Sequence, residues 1–563
     1  MKIIRTTTKS GVSAFIDGAI QYGLTKFVCS PGSRNAPIVI ALDEHPEIQT
    51  IVIHDERVAA FYALGMAQEL NVPVGVVCTS GSAMLNYYPA VAEAYYRNIP
   101  LVVLSADRPS EWVNHGDGQT IVQEGVYTNH IQWEGVIQET ISEEESLKKL
   151  LHQAFEAALS GWKGPIHFNF PLTEPLYGTL EKEYQPKEKK QFEKIELSLT
   201  DQEKQSITSA WNTHKKKLIL CGQLDKNLAL INELKQLAND PSVAVLVENT
   251  SNLTDQSWVH CIDRTLAGID ETEIESYQPD LLLTIGGAVV SKRIKQFLRK
   301  SSIVEHWKVG CDFPEMDTYR KLTKSVQCEA EDFLAFLNTT TAELPLSNFG
   351  AKWKQLDFEV QAKLDGFFQT IPYSDLAVFE LLLDYIPENA KLHMANSSVV
   401  RYCQLFDPIS SIRYYANRGT SGIDGSTSTA CGAALAGNGC HVLITGDISF
   451  FYDSNALWSA SLPPNLRIFL INNSGGGIFR IIDGPNSSPQ LEKYFEAKHT
   501  TKAEFICRAH GVEYCQADTL ESIENQLADF FSEDSDAPKL MEIVTPNEVN
   551  APVLQSFFNR IKK

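Results

Sequence analysis

Between Gly446 and Phe479 the chain gathers the makings of a hard-oxygen site. Asp447 is followed, after the 24 residues 448–471, by Asn472-Asn473 and then by Ser474-Gly475-Gly476-Gly477. A carboxylate, an amide oxygen and the carbonyls of a glycine run suit a Mg²⁺ ion that also holds phosphate oxygens. An isolated Gly-Asp is more often a helix cap, and a glycine run a surface turn. The neighbouring elements argue for the site. Asp447 lies just past the apolar run 441–444 and Asn472 just past 467–471, and 454–462 reads as the crossover helix of one βαβ unit. If those strands are adjacent, both side chains reach the crevice beyond the carboxyl ends of a parallel sheet, where open α/β sheets bind ligands.

A second acid, Glu56, closes the apolar run 50–53 and opens a helix from about Arg57 to Leu70. Taken alone it is an acid favoured by a helix N-terminus. The elements carrying these residues form a pattern. Through the first 180 residues, strands that are apolar on both faces (26–29, 50–53, 74–78, 101–104) alternate with helices, which predicts a parallel sheet covered on both sides. The charged stretch 181–190 reads as a linker. Strands at 218–221, 243–246 and 281–285 predict a smaller middle α/β domain, and the polar region 339–348 a further boundary. The last 200 residues repeat the opening pattern, with a small-residue helix near 427–436. The resulting division is 1–183, 184–353 and 354–563.

The chain has 563 residues, and 49 Lys+Arg against 70 Asp+Glu give a net charge of −21. That length holds several domains at roughly 150 residues each. The charge excludes, by default, partners such as nucleic acid or an anionic membrane surface. No apolar run approaches the roughly 18 residues of a membrane span, and the opening Met1-Lys2-Ile3-Ile4-Arg5-Thr6 has no apolar core of a signal peptide. Eleven scattered cysteines without a CxxC pair predict reduced thiols in a cytoplasm. Cys29, Cys78 and Cys431 read as small core residues.

The Asp447…Asn472-Asn473 spacing resembles the metal and diphosphate motif of thiamine-diphosphate enzymes, with Ile448 where a third glycine is usual. Finer motifs are Ser30-Pro31-Gly32-Ser33-Arg34-Asn35-Ala36-Pro37, His54-Asp55-Glu56-Arg57, Thr79-Ser80-Gly81-Ser82-Ala83, Ser105-Ala106-Asp107-Arg108-Pro109 and Asn417-Arg418-Gly419-Thr420-Ser421-Gly422-Ile423-Asp424-Gly425. Together they resemble one family, the 2-succinyl-5-enolpyruvyl-6-hydroxy-3-cyclohexene-1-carboxylate synthases of menaquinone biosynthesis. The middle segment adds only Gly286-Gly287 and Ser291-Lys292-Arg293.

The resemblance implies three doubly wound parallel-sheet domains: pyrimidine-binding, middle and diphosphate-binding. It implies thiamine diphosphate with Mg²⁺ or Mn²⁺, the metal held by Asp447, Asn473 and the Gly475 carbonyl. Glu56 would be the catalytic acid at the aminopyrimidine ring, with Pro31, Thr79, Ser397, Gly422, Ile423, Ile448, Ser449 and Ile478 around the cofactor. The implied reaction decarboxylates 2-oxoglutarate and adds the resulting succinyl-semialdehyde carbanion to isochorismate in a 1,4 sense. Its sites lie between subunits of a homodimer, or a homotetramer built from such dimers. The polycarboxylate substrates suit arginines, whose guanidinium groups bind carboxylates bidentately. Arg34, Arg108 and Arg418 follow predicted strands, Arg401 follows Val400, and Arg293 lies in the middle segment. Ser33, Gln119, Ile478 and Phe479 complete the substrate set, Gln119 orienting a proton or hydroxyl and the last two forming an apolar wall. The crevice is thus expected to be locally basic. His54 reads as a cap or hydrogen-bonding group near the cofactor. The alternatives are another thiamine-diphosphate decarboxylase or carboligase, such as an acetolactate-synthase-like enzyme, and a cofactor-binding sensor without activity. The middle segment has no G-x-G-x-x-G for a flavin.

Overall fold

A computed structural model describes residues 2–141, 143–340, 346–481 and 484–562. Three parallel sheets follow one another along the chain. The first has the spatial order Gln49–Val52, Lys26–Cys29, Val74–Cys78, Leu101–Asp107, Ile166–Pro171, Trp133–Val136. The last has the order Arg413–Tyr415, Lys391–Met394, His441–Gly446, Leu466–Asn472, Lys539–Val544, Glu513–Ala517. Counted in chain order within each sheet, both read 2-1-3-4-6-5, so first and last units are wound alike. The middle sheet, Val243–Val247, Lys217–Cys221, Leu281–Ile285, Glu305–Val309, Lys324–Val326, reads 2-1-3-4-5.

Strand side chains alternate between two cores, as the pleat requires. In the first sheet Val74, Val76 and Cys78 enter one core and Val77 the other; Leu101 and Val103 alternate likewise with Val102 and Leu104. The core on one face is private to the first unit. The other continues into the last unit through Leu443, Leu466, Ile468 and Leu470. The opposite face of the last sheet, with Val442, Ile444, Phe469 and Ile471, shares its core with Leu218, Leu220 and Leu282 of the middle unit. The last sheet is therefore a central slab between the other two units.

The joint between first and last units is a helix crossing. Glu56–Leu70 meets Ser426–Ala436, whose residues are buried from Ser426 to Ala434. A Cβ on Gly65 would stand 2.0 Å from the Thr429 carbonyl oxygen, and one on Gly432 2.0 Å from that of Tyr62. Only glycine lets the two backbones touch at these points.

Two expected elements differ. The supposed linker begins as a strand, Thr179–Tyr184, antiparallel to Lys2–Thr7 and setting Glu181 opposite Arg5. Its charges are those of an exposed two-stranded ribbon, which composition alone reads as a connector. The helix expected at 454–462 is displaced: the helix begins at once, Asp447–Tyr452, and Ser454–Leu457 is a single 3₁₀ turn. Asp453, buried between them, accepts the Ser428 backbone N–H (2.7 Å) and hydroxyl (2.8 Å), which pins the chain where the helix stops. The boundary expected at 339–348 falls partly on 341–345, outside the described residues. Cys29, Cys78 and Cys431 are buried free thiols.

Candidate active site

Strands His441–Gly446 and Leu466–Asn472 are parallel neighbours, with Gly446 opposite Ile471. This register brings Asp447 and Asn473 to one edge. Asp447 Oδ1 accepts the Ile448 N–H at 2.7 Å, and Oδ2 accepts the Gly475 N–H at 2.8 Å. His499 Nε2 lies 3.2 Å from Oδ2. The paired asparagines divide their work. Asn472 Nδ2 donates inward to Glu542 at 2.6 Å. Asn473 Nδ2 donates to Asp375 Oδ2 at 3.0 Å, which turns Asn473 Oδ1 the other way. That oxygen is buried and has no hydrogen-bond partner. The turn beyond it runs through Ser474 at φ +64° and Gly475 at φ +153°.

These groups border a cavity of about 260 Å³, together with Asn396, Ser397, Ile423, Ile448, Ser449 and Phe479. Every described residue lining it lies between Asp375 and Ala497. Its ionisable lining is Asp375, Asp447 and Glu496, without lysine or arginine, so the cavity on this side of the site is acidic. Burial pushes the Asp375 carboxyl up to about 6. A diphosphate could enter such a lining only with a cation to offset the charge. A buried orphan amide oxygen beside a carboxylate is a donor set that fits Mg²⁺, which prefers one or two carboxylates plus phosphate oxygens and water. Among the described residues no group of three His, Cys, Asp or Glu side chains could hold a metal by itself.

The equivalent edge of the first sheet carries Glu56, first residue of its helix, behind Asp55, which accepts the Val58 N–H at 3.3 Å. Burial pushes the Glu56 carboxyl up, and Asp55 adds to this against its own backbone N–H. Thr79 directly follows strand Val74–Cys78. The loop holding Pro31 and Ser33 presses on it, a Cβ on Gly32 falling 2.4 Å from Thr79 Cβ. Arg34 is buried, donating from Nη1 to the Leu172 carbonyl at 2.9 Å and facing Glu174 at 3.4 Å. Arg108 bonds the Gly118 carbonyl at 3.2 Å and faces Asp117 at 3.3 Å. Gln119 beside them is exposed, at φ +55°. His54 stacks on Trp458 with ring centroids 4.8 Å apart, a packing role.

In the last unit Arg418 Nη1 donates to Asn396 Oδ1 at 2.6 Å, and Arg401 Nη1 to the Ser397 carbonyl. The Nε atoms of Arg34 and Arg418 are buried without an acceptor, whereas that of Arg108 is the atom that faces Asp117 Oδ2. Arg293 lies over the Phe558 ring, 4.3 Å from its centroid. The Gly422 carbonyl accepts Asn396 Nδ2 at 2.6 Å, and the Ile423 carbonyl accepts Ser449 Oγ at 2.7 Å. Ile423 itself is 36% exposed, although apolar. Ile478 is buried next to the cavity-lining Phe479.

Three polar residues of this region escape sequence reading: Asp375, His499 and Glu496. Asp375 follows Ser374, whose hydroxyl caps the next helix, so locally it reads as a helix-start acid. His499 and Glu496 belong to no motif. Each acts on a residue far along the chain, and no local signal marks it.

Three family profiles match the chain. "Thiamine pyrophosphate enzyme, N-terminal TPP binding domain" spans residues 9–131, "Middle domain of thiamine pyrophosphate" 182–394, and "Thiamine pyrophosphate enzyme, C-terminal TPP binding domain" 397–543. The solved structure of benzoylformate decarboxylase from Polynucleobacter necessarius shares the fold, with a TM-score of 0.73 at 16% identity over 96% of this chain and 99% of that one. Curated relatives include the 2-succinyl-5-enolpyruvyl-6-hydroxy-3-cyclohexene-1-carboxylate synthases of Flavobacterium johnsoniae, 43% identical over 96% of each chain, and Christiangramia forsetii, 44% identical over 95% of this chain and 96% of the relative. That of Porphyromonas gingivalis is 37% identical over 98% of this chain and 97% of its own. At this identity and coverage the chain belongs to the 2-succinyl-5-enolpyruvyl-6-hydroxy-3-cyclohexene-1-carboxylate synthase family, thiamine-diphosphate-dependent enzymes of menaquinone biosynthesis.

Proposed function

We propose that the protein makes 2-succinyl-5-enolpyruvyl-6-hydroxy-3-cyclohexene-1-carboxylate from 2-oxoglutarate and isochorismate, in three units, 1–183, 184–353 and 354–563. The observation that carries the cofactor assignment is the orphan Asn473 oxygen beside Asp447 in a carboxylate-lined cavity. When bound, thiamine diphosphate supplies the nucleophilic carbon and the electron sink for decarboxylation and 1,4-addition. Asp447, Asn473 and the Gly475 carbonyl hold Mg²⁺ or Mn²⁺, and Ser397, Ile448 and Ser449 border the diphosphate. Glu56, with Pro31 and Thr79 nearby, holds a proton at its carboxyl for the aminopyrimidine ring. Its raised proton affinity suits that task. Gly422 offers its carbonyl and Ile423 its apolar side chain. Arg34, Arg108, Arg293, Arg401 and Arg418 bind substrate carboxylates; the acceptor-free Nε atoms of Arg34 and Arg418 support this. Ser33 and Gln119 orient the substrates, and Ile478 and Phe479 exclude water.

The cavity has no lining residue from the first unit, and Ile423 stands exposed near it. Both support a homodimer, alone or within a tetramer, in which the partner's first unit completes each site. All eleven cysteines are free, which supports a reducing, cytoplasmic setting. No described helix is long and apolar enough to cross a membrane.

The test mixes protein, thiamine diphosphate, Mg²⁺, 2-oxoglutarate and isochorismate, and follows isochorismate absorbance. Loss of isochorismate that pyruvate cannot support is expected. No loss, or equal activity with pyruvate, would sink the assignment. For the shared site, inactive Glu56→Gln and Asp447→Ala chains are mixed. Sites between subunits restore activity to about a quarter of wild type, since half of the exchanged dimers carry one intact site in two. Sites within one chain restore none.

A further inference from the structure

We infer that Glu93 of the first unit is a positioning residue for the last unit's loop 417–425, setting the place of Arg418. The inference rests on the reading of that loop as part of the active site. Glu93 lies on helix Tyr88–Tyr96 and is 1% exposed. Its Oε1 accepts the Gly419 N–H at 2.8 Å; its Oε2 accepts the Thr420 N–H at 2.7 Å and the Thr420 hydroxyl at 2.9 Å. Two consecutive backbone donors held by one carboxylate fix the peptide plane between them, through bonds stronger than neutral ones. One turn on, Arg97 donates from Nη1 to Asn417 Oδ1 at 3.4 Å, and its Nε lies 4.0 Å from Glu93. The helix thus grips the loop on both sides of Arg418.

The approach is too close for a side chain on the loop: a Cβ on Gly419 would stand 2.6 Å from the Glu93 carbonyl oxygen. Farther along, the loop is held from within its own unit, by Asn396 on Gly422 and Ser449 on Ile423. Its first half is held from both units: Asn396 donates to the Asn417 carbonyl at 2.7 Å and accepts from Arg418 Nη1 at 2.6 Å, while among the described residues the Gly419 and Thr420 N–H groups bond only to Glu93 of the first unit. The metal donors Asp447, Asn473 and Gly475 are fixed by Asp375 and by one another, without Glu93.

The test uses the full-length enzyme with Mg²⁺ and thiamine diphosphate. Glu93→Gln keeps the shape but donates where a second oxygen accepted. It is expected to lower kcat/KM roughly 10- to 100-fold, chiefly through KM of one substrate, as displacement by about an ångström does. Calorimetric affinity for Mg²⁺–thiamine diphosphate should move less than about twofold. Gly419→Ala, which pushes from the loop side and keeps the carboxylate, should reproduce that split, and the double variant should be less than additive. Arg418→Lys separates the two levels. If it raises KM while Glu93→Gln and Gly419→Ala do not, the inference falls and the site reading stands. If Arg418→Lys leaves KM unchanged, both fall. Loss of cofactor affinity in step with KM in both Glu93→Gln and Gly419→Ala assigns Glu93 a merely structural role and overturns the inference.

Discussion

The first and last units carry the same strand order and put chemistry at the same sheet edge, yet they bring opposite equipment to it. The first offers Glu56, Arg34 and Arg108: a carboxyl raised by burial and cations already leaning on carboxylates and carbonyls of the first unit. The last offers oxygen acceptors, one of them an orphan, in a cavity lined by acids. One topology therefore supplies a place for chemistry and leaves its kind to the residues after each strand. The units differ in setting as well. The first keeps one sheet face to itself, whereas both faces of the last are shared.

The comparison breaks if equivalent edges give equivalent phenotypes. Asp447→Ala, at the last unit's edge, is expected to abolish Mg²⁺-dependent binding of thiamine diphosphate in calorimetry. Glu56→Gln, at the first unit's edge, should leave that binding in place and slow turnover roughly 10²- to 10⁴-fold; loss of binding there would erase the division of labour. Asp375→Ala sharpens the point within the last unit. Freed from its partner, Asn473 can turn its amide, and Mg²⁺ affinity should fall roughly 10- to 100-fold, with Asp375→Asn falling less. Equal affinity in wild type and both variants would show that another contact orients Asn473.

The smallest effect tests the shared face toward the middle unit. Glu248 accepts the Val290 and Ser291 N–H groups, each at 2.7 Å. Burial raises its carboxyl to about 7, Asp263 adding to this and Arg418 opposing it. Between its ordinary value and about 7 the folded protein keeps a proton that the unfolded chain releases, so this group's contribution to stability falls as pH rises. Glu248→Gln does not titrate. It loses a hydrogen bond, so its Tm should lie below wild type near about pH 5 and draw closer by about pH 8. A Tm difference that stays flat would mean that Glu248 is ionised throughout.

Much of this was legible in sequence because strand ends are local events. The apolar runs before Asp447, Asn472 and Glu56, and the glycines after Asn473, are contiguous signals that place those residues at a sheet edge. What was not legible depends on distant partners. Asp375 meets Asn473 across 98 positions, and Glu93 meets Gly419 across 326. Neither residue differs locally from an ordinary helix acid. Strand Thr179–Tyr184 was hidden because an exposed ribbon has the composition of a linker. The acidic lining of the last unit's cavity was hidden for a related reason: positions of charged residues along the chain do not say which cavity a side chain lines.

The central slab has a consequence for exchanging parts between relatives. A chimera that imports a foreign last unit replaces both of its buried faces at once, and each must mesh with a host unit that evolved against another surface. Swapping the first or the middle unit disturbs one such sheet face, together with the smaller contact of Tyr95, Tyr96 and Trp162 with Phe313 between those two units. The outer units are the exchangeable parts, and Gly65 and Gly432 are the pair to inherit together, because a methyl group on either would hold the backbones apart.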